Sequence, residues 1–355
     1  MFAIPRTPRY AEDPVHETDW LLSSVRSIHE DIRAAVTAVC ESSSSAAVAS
    51  VFSDVDGEGD TIYSVDHVSE SMLVELFGER IASRVPIVLI AEGLSGGKIS
   101  LPRDVPESEA VWRIIADPID GTRPLMYQKR SAWILTGIAP NHGDSTGLAD
   151  IEIAVQTELP LVKQHLCDSL WAIRGKGACA ERFNRLNGER QPLHPRPSTA
   201  RDLTHGFSSI TRFFSGGRDV LASIDDEISL AAVGVNKEGK AYSFEDQYLS
   251  TGGQLYELIM GHDRFQADLR PLLSDILKDR SLQPGLCCHP YDLCTELIAR
   301  EAGVLITDEI GLRLNPPLDL KPDVSWAGYA NNHIRSQIEP LLQQALNARG
   351  LLPAR

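Results

Sequence analysis

Asp117 and Asp120 flank Pro118 directly after the apolar run Ile114-Ile115-Ala116, and Gly121-Thr122 follows at once. Two carboxylates at the end of a strand, with a proline stiffening the turn between them, gather several hard oxygen donors in one small volume, which suits Mg²⁺. If a helix starts at Gly121-Thr122, its first N–H groups and its dipole face the same volume and can hold a phosphate there. The same residues also fit a tight Asp-Pro turn between two elements, and locally both readings stand.

Further carboxylates stand at element ends. Glu92 closes the apolar run Val85–Ala91, Asp292 follows Tyr291 ahead of a helical pattern, and Asp66 ends the β-prone piece Thr61–Val65 ahead of Val68, Met72, Leu73 and Leu76. Taken locally, Asp66 is an ordinary helix cap. Of three rival motifs, two fail on inspection and the serine-hydrolase elbow fits poorly. Asp54–Asp60 imitates a calcium loop, but Val65 stands where the bidentate glutamate belongs. Gly93-Leu94-Ser95-Gly96-Gly97 matches a serine-hydrolase elbow, which needs a helix after the serine, whereas Lys98–Leu101 is β-prone and ends at Pro102. A phosphate-binding P-loop fails because Glu92 takes its first glycine position and Ile99 its hydroxyl position.

The elements that must position these acids follow from periodicity and length. The chain has 355 residues, 43% apolar and 23% charged, as expected of a soluble globular protein of one large or two ordinary units. Its 34 basic and 49 acidic residues leave a net charge of −15, which repels nucleic-acid polymers and anionic membranes, and repels a phosphorylated substrate unless bound cations reverse the sign locally. The first residues lack the apolar core of a signal peptide, and no run approaches the roughly eighteen apolar residues of a membrane span, so a cytoplasmic location is expected. Six cysteines without CxxC spacing read as reduced thiols that fill the core.

Residues 1–17 read as a loose arm. Trp20 to Val39 recur at helical spacing behind Thr18 or Asp19 as cap, and residues 48–66 read as a hairpin. Strands are expected over 85–92, 131–138, 151–156, 169–174 and 304–307, with a loop-rich stretch from 175 to 200. Helical patterns cover 230–235, 254–260 and part of 268–290; the clearest opens at Tyr291-Asp292 and stops at Gly303, and a last helix fits 334–346. The catalytic unit is expected over 18–350, with halves at about 18–160 and 161–350.

In this order and company, the acids resemble those of the inositol monophosphatase-like family of metal-dependent, lithium-sensitive phosphomonoesterases, which includes fructose-1,6-bisphosphatases. The family's D-P-[IL]-D-G-[ST] motif is Asp117–Thr122. Its late W-D…E-A-G-G motif is Tyr291-Asp292 through Glu301-Ala302-Gly303, and Ser64-Val65-Asp66, Arg174–Ala178 and Ala330–Asn332 are weaker echoes. The resemblance, over roughly residues 18–345, implies an α+β fold, an αβαβα layered sandwich, acting as a homodimer. It implies Mg²⁺-dependent hydrolysis of an inositol-, sugar- or nucleotide-phosphate-like monoester by metal-activated water, with Mn²⁺ able to substitute. By this carry-over Glu92, Asp117 and the Ile119 carbonyl hold one metal, and Asp117, Asp120 and Asp292 a second. Asp66 and Thr122 orient and help deprotonate the water, and the Gly121 and Thr122 amides bind phosphate.

Departures from the family pattern bear on the substrate. Ala91-Glu92-Gly93 lacks the second acid of the G-E-E motif, which leaves a weaker third metal position without its ligand, and the lysine expected near Val51-Phe52 is missing. Arg123-Pro124 replaces Thr-Asn, and Arg123 is either a cation beside the phosphate pocket or a solvated surface residue. The substrate acid matches Asp268, and Arg264 and Arg270 nearby are either solvated or readers of a second phosphate. A catalytically weakened descendant that serves binding or regulation is the alternative; a serine hydrolase using Ser95 is a remote one.

Overall fold

The computed structural model describes residues 14–42, 51–53, 62–235, 240–283 and 285–352. Most of the N-terminal arm, the turn at 54–61 and the side chain of Asp66 lie outside the described residues.

Helix α1 (Pro14–Ser42) begins before the expected cap, at a proline that suits a first helical turn. It is followed by the short antiparallel pair β1 (Val51–Ser53) and β2 (Ile62–Tyr63) and by α2 (Ser64–Phe77), inside which Asp66 falls. An eight-stranded sheet comes next: β3 (Ile87–Ala91), β4 (Lys98–Leu101), β5 (Trp112–Asp120), β6 (Ala132–Pro140), β7 (Ile153–Leu159), β8 (Leu166–Ile173), β9 (Ala178–Asn184) and β10 (Arg190–Leu193). Its spatial order is β10-β9-β8-β7-β6-β5-β3-β4, antiparallel except where β3 runs parallel to β5. The stretch read as loop-rich thus holds two strands. Their side chains are largely polar or partly exposed and β10 is an edge, so neither shows the apolar alternation that marks a half-buried strand.

The second sheet has the order β12-β11-β13-β15-β14, built from β11 (Gly206–Ile210), β12 (Ser243–Phe244), β13 (Asp263–Asp268), β14 (Leu305–Thr307) and β15 (Trp326–Tyr329). The remaining helices are α3 (Thr122–Met126), α4 (Arg218–Val233), α5 (Thr251–Ile259), α6 (Ser274–Asp279), α7 (Glu296–Ala302) and α8 (Asn332–Ala348).

Three apolar clusters fix five layers. Ile114 and Ala116 of β5 join Leu21, Ile28 and Leu73 of α1 and α2 on one face of the large sheet. Ile115, between them in sequence, points the other way and meets Leu255, Ile298 and Trp326 of α5, α7 and β15. Leu221, Phe265 and Ile338 cover the far face of the small sheet with α4 and α8. The result is an α+β sandwich in the order αβαβα. Among the described residues no helix is long and apolar enough to cross a membrane.

Two polar anchors set the packing of these layers. His29 of α1 is fully buried between the hydroxyls of Thr136 (2.9 Å) and Thr157 (3.0 Å) on the large sheet, and burial, with help from Arg33, pushes its pKa down to about 3. At the other face Glu301 of α7 accepts the N–H groups of Gly175 and Gly177, each at 2.8 Å, and so holds the β8–β9 turn. The Arg174–Ala178 echo is therefore tied to the late motif by hydrogen bonds.

Candidate active site

Strand β5 does not end at Asp117. It continues to Asp120 through a bulge, its pairing with β6 broken between the two aspartates, and Pro118, which has no N–H to give to a ladder, sits inside that bulge. The Asp117 carboxylate accepts the Ile119 N–H at 2.9 Å and closes the bulge locally. Thr122 then donates its hydroxyl back to the Ile119 carbonyl at 3.0 Å as α3 begins.

Asp120 is held from the far half of the chain. Its Oδ2 accepts the Ser250 hydroxyl (2.8 Å) and the Gly252 N–H (2.6 Å), while Ser250 caps α5 by accepting the Gly253 N–H at 2.8 Å. Nothing in the local sequence around 120 announces this partner 130 residues away.

Asp292 lies in a turn ahead of α7, not in the helix. Its carboxylate accepts the His289 N–H at 2.6 Å, a turn-closing bond that competes with helix formation. The turn is pressed onto the large sheet at Gly137 of β6, where an added Cβ would lie 2.7 Å from the Cys294 carbonyl oxygen. A buried relay finishes the placement: Thr295 donates to Gln156 of β7 (3.0 Å), and Gln156 donates to the Gly252 carbonyl (2.7 Å).

These constraints bring Asp117, Asp120 and Asp292 together, each offering an oxygen within 4.8 Å of the others. Asp117 and Asp120 are buried. Desolvation, then Glu92, Asp120 and Asp292, holds the Asp117 carboxyl far above the usual carboxylate range; desolvation and then Asp120 does the same to Asp292. Desolvation raises Asp120 to about 6, the donors from Gly252, Ser250 and Thr251 holding it back. A set of close, desolvated carboxylates is stable when protons or cations neutralise it, and an all-oxygen set of this kind fits a hard divalent cation.

The acids form part of the wall of a cavity of about 190 Å³, together with Glu70, Glu92, Ile119, Gly121, Thr122 and Arg123. Phe213, Phe214, Arg270, Leu286 and Cys287 make another part of its wall. Arg270 lies over both phenyl rings, 5.0 Å and 5.2 Å from their centroids, and gives an N–H to the Leu286 carbonyl at 2.7 Å. Asp268 is absent from the lining: it is 1% exposed and receives the Arg270 guanidinium. Arg264 is turned away, donating to the carbonyls of Asp202 and Thr204. Ser95 is exposed and also outside the lining, and it is followed by strand β4, so the geometry of a nucleophile elbow is missing there. Glu70 and Ser250 escaped the reading of the sequence; the four-residue spacing from Asp66 to Glu70 on one helix face was the available signal for the first.

No family profile and no curated protein matches the chain in sequence. Its likeness is to solved structures. Fructose-1,6-bisphosphatase of Leishmania major superposes with a TM-score of 0.62 at 13% identity, with 93% of each chain covered. The extragenic suppressor protein suhB of Bartonella henselae gives 0.57 at 16% identity, over 94% of this chain and 99% of that one. An IMPase of Thermotoga maritima gives 0.58 at 15%, again over 94% and 99%. The fold is the one these inositol monophosphatase and fructose-1,6-bisphosphatase structures share.

Proposed function

We propose that a chain with this fold and this acidic cavity is a divalent-metal-dependent phosphomonoesterase acting on a small-molecule phosphate ester. The observation that carries the reading is the convergence of Asp117, Asp120 and Asp292 within 4.8 Å, in a cavity that Glu92, Gly121 and Thr122 also line. We assign Glu92, Asp117 and the Ile119 carbonyl to one Mg²⁺, and Asp117, Asp120 and Asp292 to a second. When bound, such cations supply the positive charge that a loose phosphoryl-transfer transition state asks for and lower the pKa of the attacking water.

The chain's own groups do the rest. The amides of Gly121 and Thr122 receive phosphate oxygens, and Arg123 adds charge at the same wall. The Thr122 hydroxyl, now directed at the Ile119 carbonyl, and Asp66 on α2 orient the water and accept its proton. No covalent nucleophile is needed, because catalysis of this kind is positioning plus charge neutralisation.

The distal wall favours an ester whose alcohol presents a flat apolar face over one with a second phosphate. Phe213, Phe214 and Leu286 are apolar, and the charge of Arg270 is matched by Asp268. Phosphate release should be measured over inositol, sugar bisphosphate, nucleotide and histidinol phosphates with Mg²⁺, then with Li⁺ added. Turnover without divalent metal, or undiminished in Asp117→Asn, overturns the reading. The second reading, a binding or regulatory descendant, draws on Gly93 standing where the motif has an acid; Mg²⁺ calorimetry on the intact chain separates the two, since a chain that binds no metal cannot be the enzyme proposed.

A further inference from the structure

Gly93 follows Glu92 directly, where the phosphatase motif carries its second acid, and a carboxylate from elsewhere in the chain occupies the space beside it. Glu70 of α2 lines the cavity. A Cβ added to Gly93 would lie 2.0 Å from Glu70 Cδ, 2.1 Å from its Oε1 and 2.6 Å from its Oε2. Carbon and oxygen atoms do not approach so closely, so residue 93 cannot carry a side chain while the Glu70 carboxylate stays where it is. The backbone agrees: Gly93 has φ +79°, a left-handed conformation that costs an ordinary L-residue roughly 1–2 kcal/mol.

We propose that Glu70 is the acid the motif lacks: a further metal ligand, contributed by helix α2 instead of by the strand end, that serves the weaker, additional divalent position beside Glu92. This rests on the metal-site reading given above. The chemistry is consistent with a hard-cation site, because Glu70 adds one more carboxylate to a cavity already lined by Glu92, Asp117, Asp120 and Asp292. Among the described residues of the lining, the guanidinium groups are those of Arg123 and Arg270, and the charge of Arg270 is matched by Asp268. The loss of the motif's acid is then a relocation, and Gly93 is required by it.

The test is calorimetric titration of the full chain with Mn²⁺, on wild type, Glu70→Gln, Gly93→Ala and Asp117→Asn, with the thermal midpoint of each metal-free protein. Glu70→Gln keeps the shape of the side chain and removes its charge; Gly93→Ala leaves Glu70 intact and evicts its carboxylate. Both are expected to weaken the weaker Mn²⁺ isotherm by roughly tenfold, the lower end of what loss of a supporting group costs a metal site. The metal-free midpoint of Glu70→Gln should be unchanged or raised, because like charge has been removed. Wild-type Mn²⁺ binding in Glu70→Gln, with or without a fall in its metal-free midpoint, makes Glu70 a structural residue and overturns the proposal. A wild-type chain that binds no Mn²⁺ overturns the metal-site reading itself, a different result from the first.

Discussion

Arg270 is forked onto Asp268: its Nε lies 2.9 and 3.0 Å from the two carboxylate oxygens and its Nη2 reaches one of them again. Asp268 is 1% exposed on its side chain and Arg270 12%, so the pair is largely withdrawn from water. Removing one partner of such a pair leaves an uncompensated charge and costs about 3–5 kcal/mol. Asp268→Asn is therefore expected to lower the thermal midpoint. It should also leave a positive guanidinium on the cavity wall, so that KM for bisphosphate esters falls relative to monophosphate esters. Equal KM ratios in variant and wild type would show that Arg270 does not face the bound ester.

Ser250 joins two tasks, capping α5 and donating to Asp120. Ser250→Ala should cost about 1 kcal/mol of stability through the lost cap. Asp120, raised to about 6 in spite of this donor, should rise further without it. A carboxyl with a higher pKa is ionised only at higher pH, so the acid limb of the pH–rate profile should move to the alkaline side. An unmoved limb would assign that limb to another group.

His29 makes a stability prediction with a definite sign. Its pKa is about 3 in the folded chain against 6.5 in model compounds, so between those values the unfolded chain binds a proton that the folded chain refuses. Its contribution to stability is complete above pH 6.5 and declines by about 1.4 kcal/mol for each unit of acidification below it. Asp120 and Asp263, both raised to about 6 chiefly by burial, act in the opposite direction as pH falls. The comparison must therefore be differential: the urea midpoint of wild type relative to that of His29→Gln should fall as pH is lowered from 6.5 to 4.

Much of this architecture could be read from residue order, and what escaped has a common physical origin. Helix α1 buries one regular face, so its period of 3.6 is printed in the chain, while strands β3 and β5, buried on both faces, stand out as apolar runs. Asp117 and Asp120 are conspicuous because they follow the apolar run Ile114–Ala116, and Asp292 because it stands ahead of a helical pattern, although Asp117 lies inside β5 and Asp292 in a turn. Strands β9 and β10 were missed because polar side chains such as Arg182 and Glu181, engaged with Asp168 and Arg190, break the alternation. Ser250 and Glu70 were missed because their meaning lies in contacts across the fold, to Asp120 and Gly93, which no local window contains.

Glu301 separates support from chemistry. Its carboxylate holds two backbone N–H groups of the β8–β9 turn. Glu301→Ala leaves both amides without this acceptor, at about 1–3 kcal/mol for a pair partly open to water. A lower thermal midpoint with kcat at saturating metal unchanged is the expected outcome, and a loss of kcat in folded protein would give the residue a part in the reaction.

The aspartates of the cavity come from two layers. Asp117 and Asp120 belong to the large sheet, whereas Asp292 hangs from the segment that leads into α7, the helix layered between the two sheets. A shift of the α7 layer relative to the large sheet would therefore change the spacing of the carboxylates directly. A ligand that draws them together resists that shift, and by reciprocity anything that stiffens the interlayer packing raises the ligand's affinity. The polar relay Thr295–Gln156–Gly252 spans this same seam, and both of its hydrogen bonds would have to break or stretch for such a shift to occur.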